Sequence, residues 1–152
     1  MIKFIFFLSV VLFFVGALTA YYFGIVPTSV GIHSKFYASS NVAMDGFDMT
    51  IFHTQKKSQL GDVRFNYKYG ETNWFFTSSI NKKRFASKPG KFLPQFGGYC
   101  TYTMSKGFTY PPDPKVWHID KSKIYFFKDI ESKKNALSDW KNVLKNAKMH
   151  WR

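Results

Sequence analysis

The chain opens on an unbroken apolar run. Phe4 to Val26 is 23 residues without a charge, rich in Phe, Leu and Val, and it stops at Pro27. About 20 apolar residues cross a hydrocarbon core at roughly 1.5 Å each, so residues 4–26 read as a transmembrane signal-anchor helix with some tilt. Tyr21-Tyr22-Phe23 fall where aromatic side chains favour the membrane–water interface. The alternative is a cleaved signal peptide, with Ala17-Leu18-Thr19-Ala20 as the processing site and a secreted product. Leu18 is a poor residue for the outer small position of such a site, and the uncleaved, single-pass anchor is the favoured reading. Lys3, in the short flank 1–3, marks the cytoplasmic end, and long domains translocate largely regardless of charge. The rest of the chain is therefore expected to face outward, into a periplasm or an extracellular space.

Past Pro27 the pattern changes. Residues 27–41 contain Pro, Gly and several Ser and read as a linker, leaving 42–152 as one folded domain. Phe47 to His53 reads as a strand with Phe47, Met49, Ile51 and His53 on one face. Val63 to Tyr69 alternates Val63, Phe65, Tyr67 and Tyr69 against Arg64, Asn66 and Lys68, the period of a half-buried strand. Gly70-Glu71 turns it into a second strand, Thr72 to Thr77, giving a hairpin. Ser78 or Ser79 caps a short helix to about Ser87, ended by Pro89-Gly90. Phe108 to Pro114 holds three prolines and reads as loop. Val116–Ile119 and Lys123–Phe127 form a second hairpin around Asp120-Lys121-Ser122. From about Asp129, the spacing of Ile130, Leu137, Trp140, Leu144 and Ala147 predicts one helix to about Lys148, with Trp151 docking the tail. Strands followed by a helix, with no alternating βα pattern, predict a small α+β domain. It would consist of short antiparallel hairpins, a short central helix and a C-terminal helix.

Composition adds two facts. Eighteen Phe, nine Tyr and four Trp provide enough apolar area for a compact core without disulfides, and the single cysteine allows none within the chain. The set Trp74, Phe75, Phe76, Tyr99, Tyr102, Trp117 and Tyr125 is read mainly as core, with alternate members able to line an apolar pocket. The formal charge is +13, from 22 Lys and Arg against nine acids. The cations are dispersed as Lys56-Lys57, Lys82-Lys83-Arg84, Lys133-Lys134 and single sites, which reads as a solvated basic surface. Attraction to anionic headgroups beside the anchor is its first functional use. Nucleic acid is not expected as a partner of an outward-facing domain.

The chemistry centres on Pro94-Gln95-Phe96-Gly97-Gly98-Tyr99-Cys100. A glycine pair permits φ > 0 or a close backbone approach, and it holds the only thiol at a bend among aromatics. Cys100 with His53 and His118 would suit copper or zinc, and Met104 could add a thioether for copper(I). The alternatives are a packed, inert cysteine and a reactive thiol. No acid is placed to orient a histidine base, so an enzyme is not expected. Asp45-Gly46-Phe47-Asp48 reads as a turn in which aspartate caps backbone amides, because the other ligands of a calcium loop are missing. His33 and His150 receive no role.

Several of these stretches together resemble the YHS domain family, in the broader TRASH-like group. They are Val42-Ala43-Met44-Asp45-Gly46-Phe47-Asp48, Phe65-Asn66-Tyr67, Trp74-Phe75-Phe76, Arg84-Phe85, Lys88-Pro89-Gly90-Lys91-Phe92, Gly97-Gly98-Tyr99-Cys100, Asp113-Pro114, Trp117-His118-Ile119, Lys123-Ile124-Tyr125 and Trp151. The likeness covers nearly all of 42–152 and leaves out the anchor. In metal-binding members the segment after the hairpin carries two cysteines four positions apart. The corresponding positions here are Thr77 and Asn81, so the resemblance implies that the usual metal site is absent there. It points to the exported subgroup marked by Gly-Gly-Tyr-Cys, whose activity is not settled. Met49, where that subgroup often has proline, is a minor departure. The resulting expectation is a membrane-anchored binding or accessory module that holds a soft metal through Cys100. Its alternative is a structural or protein-interaction module at the membrane, with Cys100 in the core.

Overall fold

The computed structural model describes residues 2–151. The apolar run is a single helix, α1 (Ile2–Tyr22), and its span Phe4–Tyr22 is long and apolar enough to cross a membrane. No part of that span is buried by the rest of the chain. An exposed, N-terminal apolar helix of this length is what a membrane anchor or a signal sequence has in common. The orientation argument rests on Lys3, whose side chain lies outside the described residues.

The body is α+β. A mixed four-stranded sheet has the order β1 (Ala38–Ser39), β2 (Val42–Ala43), β4 (Thr72–Phe76), β3 (Asp62–Tyr69). The pairs β1–β2 and β3–β4 are antiparallel, but β2 runs parallel to β4, with Val42 opposite Asn73. The expected hairpins at 63–77 and 116–127 are present, the second as β5 (Asp113–Asp120) and β6 (Lys123–Phe127). β5 begins earlier than expected and includes Pro114, which sits where the register of the hairpin shifts, a place that does not need its missing N–H.

Between the strands lie α2 (Met49–Gln55), α3 (Ser79–Ser87), α4 (Pro89–Phe92) and α5 (Thr101–Met104). The strand expected over 47–53 is replaced by α2. The alternation of Phe47, Met49, Ile51 and His53 was misleading, because Met49, Thr50, Ile51 and Phe52 are all buried. A seven-residue helix that opens with four consecutive buried residues carries no period to read. Its start is fixed by Asp48, whose carboxylate accepts from the Thr50 amide.

The expected C-terminal helix is two helices, α6 (Ile130–Ser138) and α7 (Trp140–His150). Asp139 leaves helical geometry at φ −141°, ψ 52°, and Trp140 turns inward there. Its indole N–H donates to Asp120 at 3.1 Å, and its ring meets Tyr125 edge-on at 4.9 Å. Trp151 does dock the tail, stacked on His33 at 5.0 Å.

The core has two lobes. One gathers Phe52, Trp74, Phe76, Phe85, Phe92 and Phe126; the other gathers Tyr99, Cys100, Met104, Phe127, Ala136 and Ala147. Adjacent residues of β6 serve both, Phe126 in the first and Phe127 in the second.

The stretch 27–41, read as a linker, lies packed along this body. Phe36 is buried against Trp74, and the Tyr37 amide donates to the Gly97 carbonyl at 2.8 Å. Nearer α1, the buried Thr109 hydroxyl accepts from the Val26 amide at 3.0 Å and donates toward the Gly24 and Val26 carbonyls. The Thr109 amide donates to the Val26 carbonyl and the Thr28 amide to the Gly107 carbonyl. The chain is thus fastened to the body two residues beyond the end of α1.

Gly97 and Gly98 serve close approach. At Gly97, φ +61°, a Cβ would collide with the Lys35 carbonyl oxygen; at Gly98, φ +92°, it would collide with the Met44 sulfur. Gly90 has open space and an ordinary φ. Gly97→Ala is expected to destabilise the full chain by about 2 kcal/mol or more. Gly90→Ala is expected to be neutral or to stabilise by up to about 1 kcal/mol. Denaturation of both variants beside the parent, in the same detergent, checks the contrast.

Candidate functional site

The sequence nominated Cys100, and the structure places it at the end of the glycine bend as the N-cap residue of α5. Its amide donates to the Tyr110 carbonyl, its carbonyl accepts from Met104, and it bridges to Phe126. The side chain is 0% exposed, and Met104, one helical turn on, is equally buried in the same lobe. A thiol sealed in this way has no path to an oxidant or electrophile without opening of the fold.

The two histidines belong to other surfaces. His53 lies on α2, edge-on to Phe92 at 5.7 Å, in a cleft with Arg84, Lys88 and Lys91. His118 lies on β5, edge-on to Trp140 at 5.4 Å, in a cleft with Lys56, Lys115 and Lys133. Among the described residues, no group of three His, Cys, Asp or Glu side chains is arranged to hold a metal. Cys100, His53 and His118 are therefore not brought together as one metal set.

Both imidazoles are shifted the same way. Burial, then Lys56 and Lys91, lower the pKa of His53. Burial, then Lys133, lower that of His118, against an opposing effect of Asp120. Each ring is thus held neutral at neutral pH, beside cations that oppose its protonation.

The aromatic set is mainly core: Trp74, Phe76, Tyr99 and Tyr125 are buried, while Trp117 lines the His118 cleft and Tyr99 also borders a cleft with Tyr37 and Pro111.

The densest polar constellation is one the sequence showed only in part. Asp48 is 0% exposed, and its carboxylate accepts five hydrogen bonds. Oδ1 takes the Thr50 amide at 2.9 Å and the Thr50 hydroxyl at 2.7 Å. Oδ2 takes the Thr77 amide at 2.8 Å, the Thr77 hydroxyl at 2.8 Å and the Asn81 side-chain amide at 2.9 Å. Asn81 also donates to the Thr77 hydroxyl, and its Oδ1 accepts from Arg84 at 3.0 Å. Thr77 and Asn81, the positions singled out by the family likeness, therefore do converge, and they converge on a carboxylate. The capping role of Asp48 was legible from its place in a turn. The long-range half of its network, to residues 29 and 33 positions away, had no local signal.

No protein-family model, no curated protein and no solved structure matches the chain.

Two outcomes follow from this geometry. Asp48→Asn keeps the shape but removes the charge and turns a donor toward donors, and it is expected to destabilise the chain by on the order of 3 kcal/mol in denaturation experiments. For His53, a folded pKa below the unfolded value means that the unfolded chain binds the extra proton first. Stability should be complete above the unfolded pKa and fall as pH drops through the folded one. Tm is expected to decline from about pH 7.5 to about pH 5.5, less steeply in His53→Gln, as thermal melts across that range would show.

Proposed function

We propose that the chain is a membrane-tethered, outward-facing accessory module of the YHS kind, with Cys100 as a packed core residue and a protein or lipid surface as its partner. The observation that carries this reading is the joint between helix and body. α1 is exposed along its whole apolar span, and the chain enters the body two residues later through the Thr109 clamp. An apolar helix with no partner among the described residues suits a lipid surrounding, and so short a joint would keep the body at the membrane surface. The dispersed positive charge suits that place, since anionic headgroups attract each nearby Lys or Arg by about 1 kcal/mol. The sealed thiol, and the dispersal of its expected histidine partners, support a module that works by surface contact.

Soft-metal binding through Cys100 is the second reading. Its support is the pairing of the thiol with Met104, two soft donors in one lobe of the core.

Mass spectrometry of the native protein tests the tether. The expected result is a chain that retains residues 1–20 and stays in the membrane fraction through an alkaline wash; a soluble chain beginning near Tyr21 would overturn it. Elemental analysis of the full chain in detergent, purified without chelators beside Cys100→Ala, separates the two readings. Equal, substoichiometric metal in both supports the accessory module. Stoichiometric copper or zinc that disappears with the thiol would establish the second reading instead.

A further inference from the structure

One cleft gathers three cations in its lining. It has a volume of about 330 Å³ and is walled by His53 from α2, Arg84 and Ser87 from α3, Lys88 at the junction, and Lys91 and Phe92 from α4. No acidic residue lines it. The ion pairs among the described residues are Arg64–Asp62, Lys68–Glu71 and Lys128–Asp129, and none involves these three cations. Three like charges converging on one low-dielectric wall repel one another, and the field between them draws in a counter-ion.

The cations are also positioned. Arg84 donates through Nη1 to Asn81 Oδ1, so the Asp48 network orients one edge of the guanidinium and leaves the other N–H groups for a ligand. Lys91 Nζ stands 5.6 Å from the centre of the Phe92 ring. Arg84 lies in the last turn of α3, Lys88 at the non-helical junction (φ −149°, ψ 67°) and Lys91 on α4, and the turn between the helices brings all three to one cleft. The buried Nε2 of His53 has no hydrogen-bond partner among the described residues. A buried polar atom left in that state calls for an explanation, and an oxyanion in the adjoining cleft supplies one after a small rotation of the ring.

We infer that this cleft binds a phosphate-type oxyanion, with Arg84, Lys88 and Lys91 as its cationic ligands and His53 as a hydrogen-bond donor. The anion would be either a free phosphate monoester or the phosphate of a lipid headgroup. The two share the chemistry of recognition and differ only in what carries the phosphate.

The test uses the full chain in maltoside micelles, which contain no phosphate, with the ring resonances of His53 followed by NMR. Inorganic phosphate is expected to shift them saturably, with half-saturation below about 10 mM, and to raise the pH at which His53 titrates. The charged groups facing that ring are Lys56 at the end of its own helix, Lys91 on α4, and Arg84 and Lys88 across the cleft. Arg84→Gln and Lys91→Gln are each expected to weaken binding by about tenfold. Lys83→Gln, in the same basic run but outside the cleft, should leave it within about twofold. In nanodiscs, the same shift on adding phosphatidylglycerol alone would assign the lipid source; a response to free phosphate only would assign the soluble one. No saturable shift with either, an equal shift with sodium chloride at matched ionic strength, or a shift indifferent to Arg84→Gln and Lys91→Gln would overturn the inference.

Discussion

The body of this protein depends on one buried charge. Removing a carboxylate from water costs several kcal/mol, and the cost is met only when donors surround it. Asp48 has five, drawn from the first turn of α2, the residue after β4 and the first turn of α3. They fix how α2 and α3 sit against the end of the β3–β4 hairpin. Thr77 and Asn81, four residues apart, pin a helix start to a strand end through that carboxylate.

The second constraint is steric. Met44 leaves no room for a Cβ at Gly98, and the backbone of Lys35, beside the Tyr37–Gly97 hydrogen bond, leaves none at Gly97. That contact draws residues 35–37 onto the domain and presses Cys100 inward between the bend and β6. The burial of the thiol is thus a consequence of packing around the bend. It needs no separate chemical purpose.

Much of this was legible from local pattern. Both hairpins, a serine cap at Ser78 or Ser79 (Ser78 in the structure), the α+β class and the N-terminal apolar helix follow from period-2 alternation, turn residues and an unbroken apolar run. What was not legible is long-range. The short helix at 49–55 begins with four consecutive buried residues, so they carry no period to distinguish it from a strand. The parallel pairing of β2 with β4 involves one residue pair and left no trace in composition. The break at Asp139 depends on Trp140 finding Asp120 and Tyr125 across the fold, while the apolar spacing runs through it without interruption. The segment 27–41 has the composition of a linker, yet Phe36 and Thr28 are buried in it. The basic cleft was hidden for a related reason. Arg84, Lys88 and Lys91 look dispersed along the chain, and only the turn from α3 into α4 makes them neighbours of His53.

The joint at Thr109 has a mechanical side. A flexible linker would let the body tumble independently of its helix; a clamp two residues from the helix end does not. In the proposed membrane-held chain, tilt and rotation of α1 are handed on to the body as orientation, so the helix would work as a handle as well as a tether. Which face the body turns outward is then set inside the apolar segment, by residues that never touch whatever that face meets.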